Sequence, residues 1–149
     1  MVTEFRQLRA YQAARQLNRK VWEARDRIAS ESKGTWWQLD RSAGSVMDNI
    51  AEGFGRATRK DFANFLRYST GSANEVQSQL DRCLDRGLVT AEQARKIEND
   101  CKSVLRKIEG LSKSLERPPP SPAPNTLREP PPPPYGIDEL PPKFYRDDE

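Results

Sequence analysis

All twelve prolines of this 149-residue chain lie at or beyond Pro118, so its first 117 residues contain none. A proline inside a helix removes a backbone donor, clashes with the preceding turn and costs about 3 kcal/mol. Residues 1–117 are therefore open to long helices, and the remainder is closed to them. The expectation is a helical domain over residues 1–117 and a disordered, acidic, proline-rich tail over residues 118–149.

Apolar spacing fills in the helical part. Phe5, Leu8, Tyr11, Ala14, Leu17, Val21 and Ile28 recur in steps of three, four or seven, which predicts a first helix over residues 4–29, with Thr3 as its N-cap. Residues 30–34 (SESKG) break that pattern and read as a loop. Thr35 with Gln38 has capping-box spacing, and a second stripe of Trp36, Leu39, Ala43, Val46 and Ile50 runs up to Gly53 and Gly55. Thr58 with Asp61 starts a third helix over residues 59–86, carrying Phe62, Leu66, Ser69, Ala73, Val76, Leu80 and Cys83, with Gly87 as its C′ residue. Thr90 with Gln93 opens a fourth, carrying Ala94, Ile97, Cys101, Val104, Ile108, Leu111 and Leu115. Four stripes joined by short connections predict an all-α, antiparallel up-down-up-down four-helix bundle.

The net charge of +3 conceals a division. Residues 1–117 carry 22 basic and 16 acidic side chains, a net +6, while the tail is net −3. A basic body suits an anionic partner, and it also serves solubility alone. Arg56, Arg59 and Lys60 gather at the second turn, where the third helix presents backbone donors to anions. Arg95, Lys96, Lys102, Arg106, Lys107, Lys113 and Arg117 follow along the fourth helix, and Arg6, Arg9, Arg15, Arg19 and Lys20 lie along the first. Such surfaces hold phosphates by releasing counterions and read little sequence.

Chemistry is sparsely represented. There is no histidine, no phosphate-binding GxxxxGK[ST] loop, no GxGxxG after a strand and no GxSxG elbow. The GFGRATRK run lacks a preceding strand, so neither catalysis nor a cofactor is expected. Two cysteines without a CxxC pattern argue against a zinc site. With the last hairpin turning at residues 87–89, Cys83 and Cys101 stand about 10 Å apart along the axis. That exceeds the roughly 7 Å Cα limit for a disulfide. The absence of a long apolar run and of a signal-like N-terminus leads to an expectation of cytoplasmic location.

Asn49 and Glu52 share a helix face near Gly53 and read as structural polar groups rather than a catalytic pair, with Arg56 or Thr58 among the partners open to Glu52. Arg41 and Glu75 fall nearly level across the second hairpin, an expected part-buried ion pair. In the tail, Pro132, Pro133, Pro134 and Tyr135 fit a PPxY pattern, and Phe144 with Tyr145 offers a second aromatic anchor. Partner docking and a plain spacer both fit. Either way the tail is expected to extend away from the bundle.

Two segments carry a resemblance. Residues 38–56, QLDRSAGSVMDNIAEGFGR, and residues 60–76, KDFANFLRYSTGSANEV, resemble the four-helix-bundle family of proteins encoded in 23S ribosomal RNA intervening sequences. The similarity extends over about residues 5–115 and leaves the tail outside. Asp40 stands where an arginine is common in the family, and Gly44 and Met47 also depart from its pattern. By resemblance, the chain is expected to form a homopentamer. Related accessory proteins of diversity-generating retroelements bind nucleic acid and a reverse transcriptase. Two readings follow: a non-catalytic oligomer holding RNA or DNA backbone, or an adaptor docking a polymerase-like or other protein.

Overall fold

In the computed structural model, which describes residues 1–117 and 140–144, the four apolar stripes become five α-helices, with no strand among the described residues. These are α1 (Arg9–Glu23), α2 (Arg25–Glu31), α3 (Lys33–Gly55), α4 (Arg59–Asp85) and α5 (Ala91–Glu116). All the stripe residues expected on α4 and α5 are buried, and on α3 only Trp36 is partly exposed.

Side-chain bonds set the helix directions. Ser42 Oγ donates to Glu75, the Ser45 and Ser72 hydroxyls pair at 2.8 Å, and Ser69 Oγ donates to Val46 O at 2.7 Å. Residue numbers rise on α3 as they fall on α4, so the two are antiparallel. Asn18 Nδ2 on α1 donates to Ala43 O on α3, and Trp22 meets Trp36 with ring centroids 5.9 Å apart, again antiparallel. α5 lies between α4 and α1 and closes the ring.

The termini follow the caps written in the sequence, with two exceptions. Thr58 accepts from Asp61 N, and Thr90 and Gln93 complete a reciprocal capping box. Gly87 adopts φ +67°, and the N–H groups of Gly87 and Leu88 bond back to Leu84 O and Cys83 O. That double bond is the Schellman arrangement, which needs a residue tolerant of positive φ. The N-cap of α3, however, is Ser32, whose hydroxyl accepts from Thr35 N, so Thr35 sits inside the first turn. Residues 30–34 hold no loop beyond that single cap.

The expected first helix is also divided. A 3-10 turn at Phe5–Gln7 precedes α1, and Ala24, at φ −90° and ψ 2°, separates α1 from α2. Thr3 is not the cap of α1: its backbone and hydroxyl donate to Gln7 Oε1, while Leu8 starts the helix without a side-chain cap. The break at Ala24 redirects the chain so that α2 packs on the start of α3.

The tail does not simply extend away. Leu140 and Phe144 are buried, and Phe144 lies 4.8 Å from Phe62 and 5.8 Å from Phe54 between ring centroids. Lys143 Nζ donates to Phe54 O at 2.7 Å. Pro132, Pro133, Pro134, Tyr135 and Tyr145 lie outside the described residues.

Candidate nucleic-acid interface

The α3–α4 turn carries the densest basic group. Gly55 ends α3, Arg56 leaves it in extended conformation, and α4 begins at Arg59 after only three intervening residues, the last of them its N-cap Thr58. Arg56 therefore projects at the corner, with its guanidinium 4.7 Å from the Phe65 ring centroid and an Nη2 bond of 2.8 Å to Glu52. Arg59 Nη1 donates to Arg117 O at 2.9 Å, tying the start of α4 to the end of α5. Arg56, Arg59, Lys60 and Arg117 thus share one end of the bundle.

The helix start itself is less receptive to anions than a bare terminus. Thr58 Oγ1 already takes the Asp61 donor, and the Asp61 carboxylate occupies the first turn. A negative side chain there uses the same end of the helix dipole that a phosphate would.

The cations expected along α5 do not converge. Arg95 and Lys96 lie in its first turns, whereas Arg106 and Lys107 lie about three turns further toward the Arg59 end. Lys96 pairs with Glu92 and Lys102 with Glu98, each at 3.3 Å, and Lys113 pairs with Glu109 at 2.9 Å. Arg95 and Arg106 are exposed on one outward stripe, and neither has a carboxylate within salt-bridge distance among the described residues. Lys107 Nζ donates to Ser103 Oγ at 2.7 Å and shares a groove with Arg9, Gln12, Gln16 and Asp100 between α1 and α5.

Sequence reasoning passed over Asp100. One of its oxygens, Oδ2, is buried without a hydrogen-bond partner. Burial, ahead of any neighbouring charge, pushes its carboxyl above the ordinary carboxylate range; Lys20 and Lys107 act the other way, and Glu23 adds to the rise. Its position opposite α1, set by a long-range helix pairing, carries no local signal.

The polar residues singled out near Gly53 divide. Asn49 Nδ2 donates to Ser45 O at 2.8 Å and to Ser45 Oγ at 3.0 Å, so it braces its own helix and does not bond Glu52. Glu52 is exposed and pairs with Arg56, one of its expected partners. Arg41 and Glu75 form no ion pair. The Arg41 guanidinium lies 5.2 Å from the Trp37 ring centroid, and Glu75 takes the Ser42 hydroxyl at 3.2 Å. Both choices are local: Trp37 is one turn before Arg41, and Ser42 reaches Glu75 from the seam while Arg41 points outward.

Among the described residues no cluster of three His, Cys, Asp or Glu is placed to hold a metal, and no helix is long and apolar enough to cross a membrane. Antiparallel amphipathic helices closed into a ring, with basic groups at one end and along one outward stripe, define an all-α helical-bundle protein. The profile of the 23S rRNA-intervening sequence protein family matches residues 6–110, and the chain belongs to that family. Its fold is similar to the 1.70 Å crystal structure of a protein with unknown function from the S23 ribosomal protein family of Bacteroides thetaiotaomicron. The TM-score is 0.65 at 24% identity, covering 70% of this chain and 98% of that one. No curated protein matches the chain.

Proposed function

We propose that the protein is a non-catalytic, cytoplasmic homo-oligomer that holds the phosphate backbone of RNA or DNA on its basic surfaces. The observation that carries this reading is the Arg59–Arg117 hydrogen bond, which gathers the basic α3–α4 turn and the end of α5 at one end of the bundle. Arg56, Arg59 and Lys60 form the contact end, and Arg95 and Arg106 extend it along α5. The helices act as a rigid platform, and contact with phosphates releases counterions without reading bases. Five copies, the number that the family resemblance implies, would repeat the +6 body charge around one assembly.

Fluorescence anisotropy with single-stranded and duplex RNA across a salt series tests the reading. Affinity falling steeply and linearly in log–log form is the expected result. No binding at low salt defeats it. Light scattering in the same buffers gives the copy number, with a monomer mass counting against the oligomer.

A second reading, a protein-binding adaptor or reverse-transcriptase accessory subunit, is favoured by a different observation. Trp22 and Trp37, on α1 and α3, are 54% and 59% exposed, and tryptophan is enriched among the anchor residues of protein–protein interfaces. Phe144 cannot serve such a partner while it is buried against Phe62. Loss of a specific protein partner in Trp22→Ala/Trp37→Ala, with RNA affinity unchanged, supports the adaptor.

A further inference from the structure

Beside the basic turn, α4 carries two aromatic rings that lie outside the apolar core, Phe65 and Tyr68. Tyr68 is 60% exposed and Phe65 is half-buried. Their ring centroids are 5.6 Å apart at an interplanar angle of 86°, an edge-to-face pair that leaves most of the tyrosine in solvent. Phe65 also has the Arg56 guanidinium 4.7 Å from its centroid. Arg56, Phe65 and Tyr68 therefore follow one another in consecutive contact from the α3–α4 turn onto the outer face of α4.

Cations border the pair on both sides. On the α3 side stands Arg56, whose side chain is 46% exposed and which gives one N–H to Glu52, keeping its other donors for an acceptor. At about 100° per residue, Lys60 and Arg67 fall on the flank of α4 turned away from α3, with Tyr68 between the two sides. Lys60 is exposed and makes no hydrogen bond or ion pair among the described residues, and Arg67 is exposed and donates to Asn64 Oδ1. An acidic peptide would satisfy these cations, but nothing in it sets a planar group beside each charge. Nucleic acid repeats one base and one phosphate per residue. In a duplex the faces of the bases are stacked on each other, so Tyr68 gains nothing from them. An unpaired base can lay its face on the tyrosine while its phosphates meet Arg56 and Lys60.

We propose that Tyr68, backed by Phe65, is a stacking site for an unpaired nucleobase, so that the basic turn takes single-stranded nucleic acid ahead of duplex. This deepens the nucleic-acid reading above and rests on it. Every base has a π-face, so the contact adds affinity without choosing a sequence.

The test uses the full chain with a fluorescent oligouridine and an abasic strand of the same length and charge, each titrated across a salt series, and with light scattering of every variant. The wild type is expected to bind oligouridine about five-fold or more tightly than the abasic strand, the size of one base stacked on one ring. Tyr68→Ala should erase that difference while keeping the abasic affinity and its salt slope, and Tyr68→Phe, which retains the ring, should preserve it. Equal affinity of the wild type for the two strands overturns the proposal and leaves phosphate binding standing, as does a difference that survives in Tyr68→Ala. A fall in particle mass on Tyr68→Ala assigns the ring to a contact between copies and also overturns it. Absence of wild-type binding to either strand at low salt defeats the nucleic-acid reading itself, and this inference with it.

Discussion

Gly53 stands so close beneath Phe62 that a Cβ on it would lie 2.7 Å from Phe62 Cδ2 and 2.8 Å from the Cβ of Phe65. Neither neighbour is free to retreat, since Phe62 is fully buried and the Phe65 atom is rooted on the backbone. Gly53→Ala is expected to destabilise by about 1–3 kcal/mol, the usual cost of forcing an extra methyl group into a packed site. Gly44, on the outward face of the same helix, would meet nothing within 4 Å. Gly44→Ala should therefore stabilise by roughly 1 kcal/mol through helix propensity alone. Urea midpoints of the two variants on opposite sides of the wild type are the expected outcome, and equal shifts would contradict it.

Asp100 gives the pH dependence a sign. Its carboxyl is raised in the folded state above the ordinary 3.8, chiefly by burial. The native protein therefore holds this proton more firmly than the unfolded chain does. Ionisation of Asp100 subtracts stability fully above the raised folded value, and the loss disappears below the unfolded value. Asp100→Asn should melt higher than the wild type at pH 7, and the gap should close as the pH falls through that window. Melting curves at several pH values decide it; a gap that widens on acidification is the contrary result.

Cys101 is expected to be chemically silent. Burial first, then the charges of Asp100 and Glu98, push its thiol up to about 12. Burial also raises Cys83, against the opposing pull of Arg82 and Arg86. A thiolate-seeking disulfide reagent at pH 8 should modify neither cysteine in the folded protein and both on unfolding in denaturant. Rapid labelling of the native protein would show the α4–α5 core to be open.

Arg106 and Lys102 separate free charge from paired charge. Lys102 already holds Glu98 at 3.3 Å, whereas Arg106 has no such carboxylate among the described residues. Arg106→Gln is expected to reduce the slope of log affinity against log salt by about one, the change for one lost phosphate contact. Lys102→Gln should reduce it by less, because Glu98 competes for the ammonium. Equal slopes for the two variants would mean that the Glu98 pair does not survive RNA binding.

The legible parts of the fold are those set by neighbours in sequence. Spacing of Phe62, Leu66, Ala73 and Val76 identified a buried stripe, and Thr58, Gly87 and Thr90 declared helix ends through bonds that span only a few residues. Ala24 was not legible: alanine favours helix, and the interruption arises where α2 turns to pack on α3. The Arg41–Glu75 pairing failed for a related reason. Helix register brings two positions level, but Trp37 and Ser42 offered nearer partners.

The basic end was readable as composition, and its partial neutralisation was not. Glu52, Glu92, Glu98 and Glu109 each sit four residues before a cation, a spacing visible in the chain whose effect on free charge the sequence reading left out. The docking of Phe144 on Phe62 joins positions 82 residues apart and has no periodic signature. Its one advance sign was the aromatic pair Phe144 and Tyr145 in the proline-rich tail.

The interruption at Ala24 divides the amide-exchange behaviour of what would otherwise be one helix. α1 buries Ala10, Ala14, Leu17 and Val21, while α2 buries Ile28 alone. Without hydrogen bonds running continuously through Ala24, the seven residues of α2 can open as a small unit while α1 stays closed. Its backbone protons should exchange well before those of α1, making α2 the least protected helix and the place where thermal opening of the bundle begins.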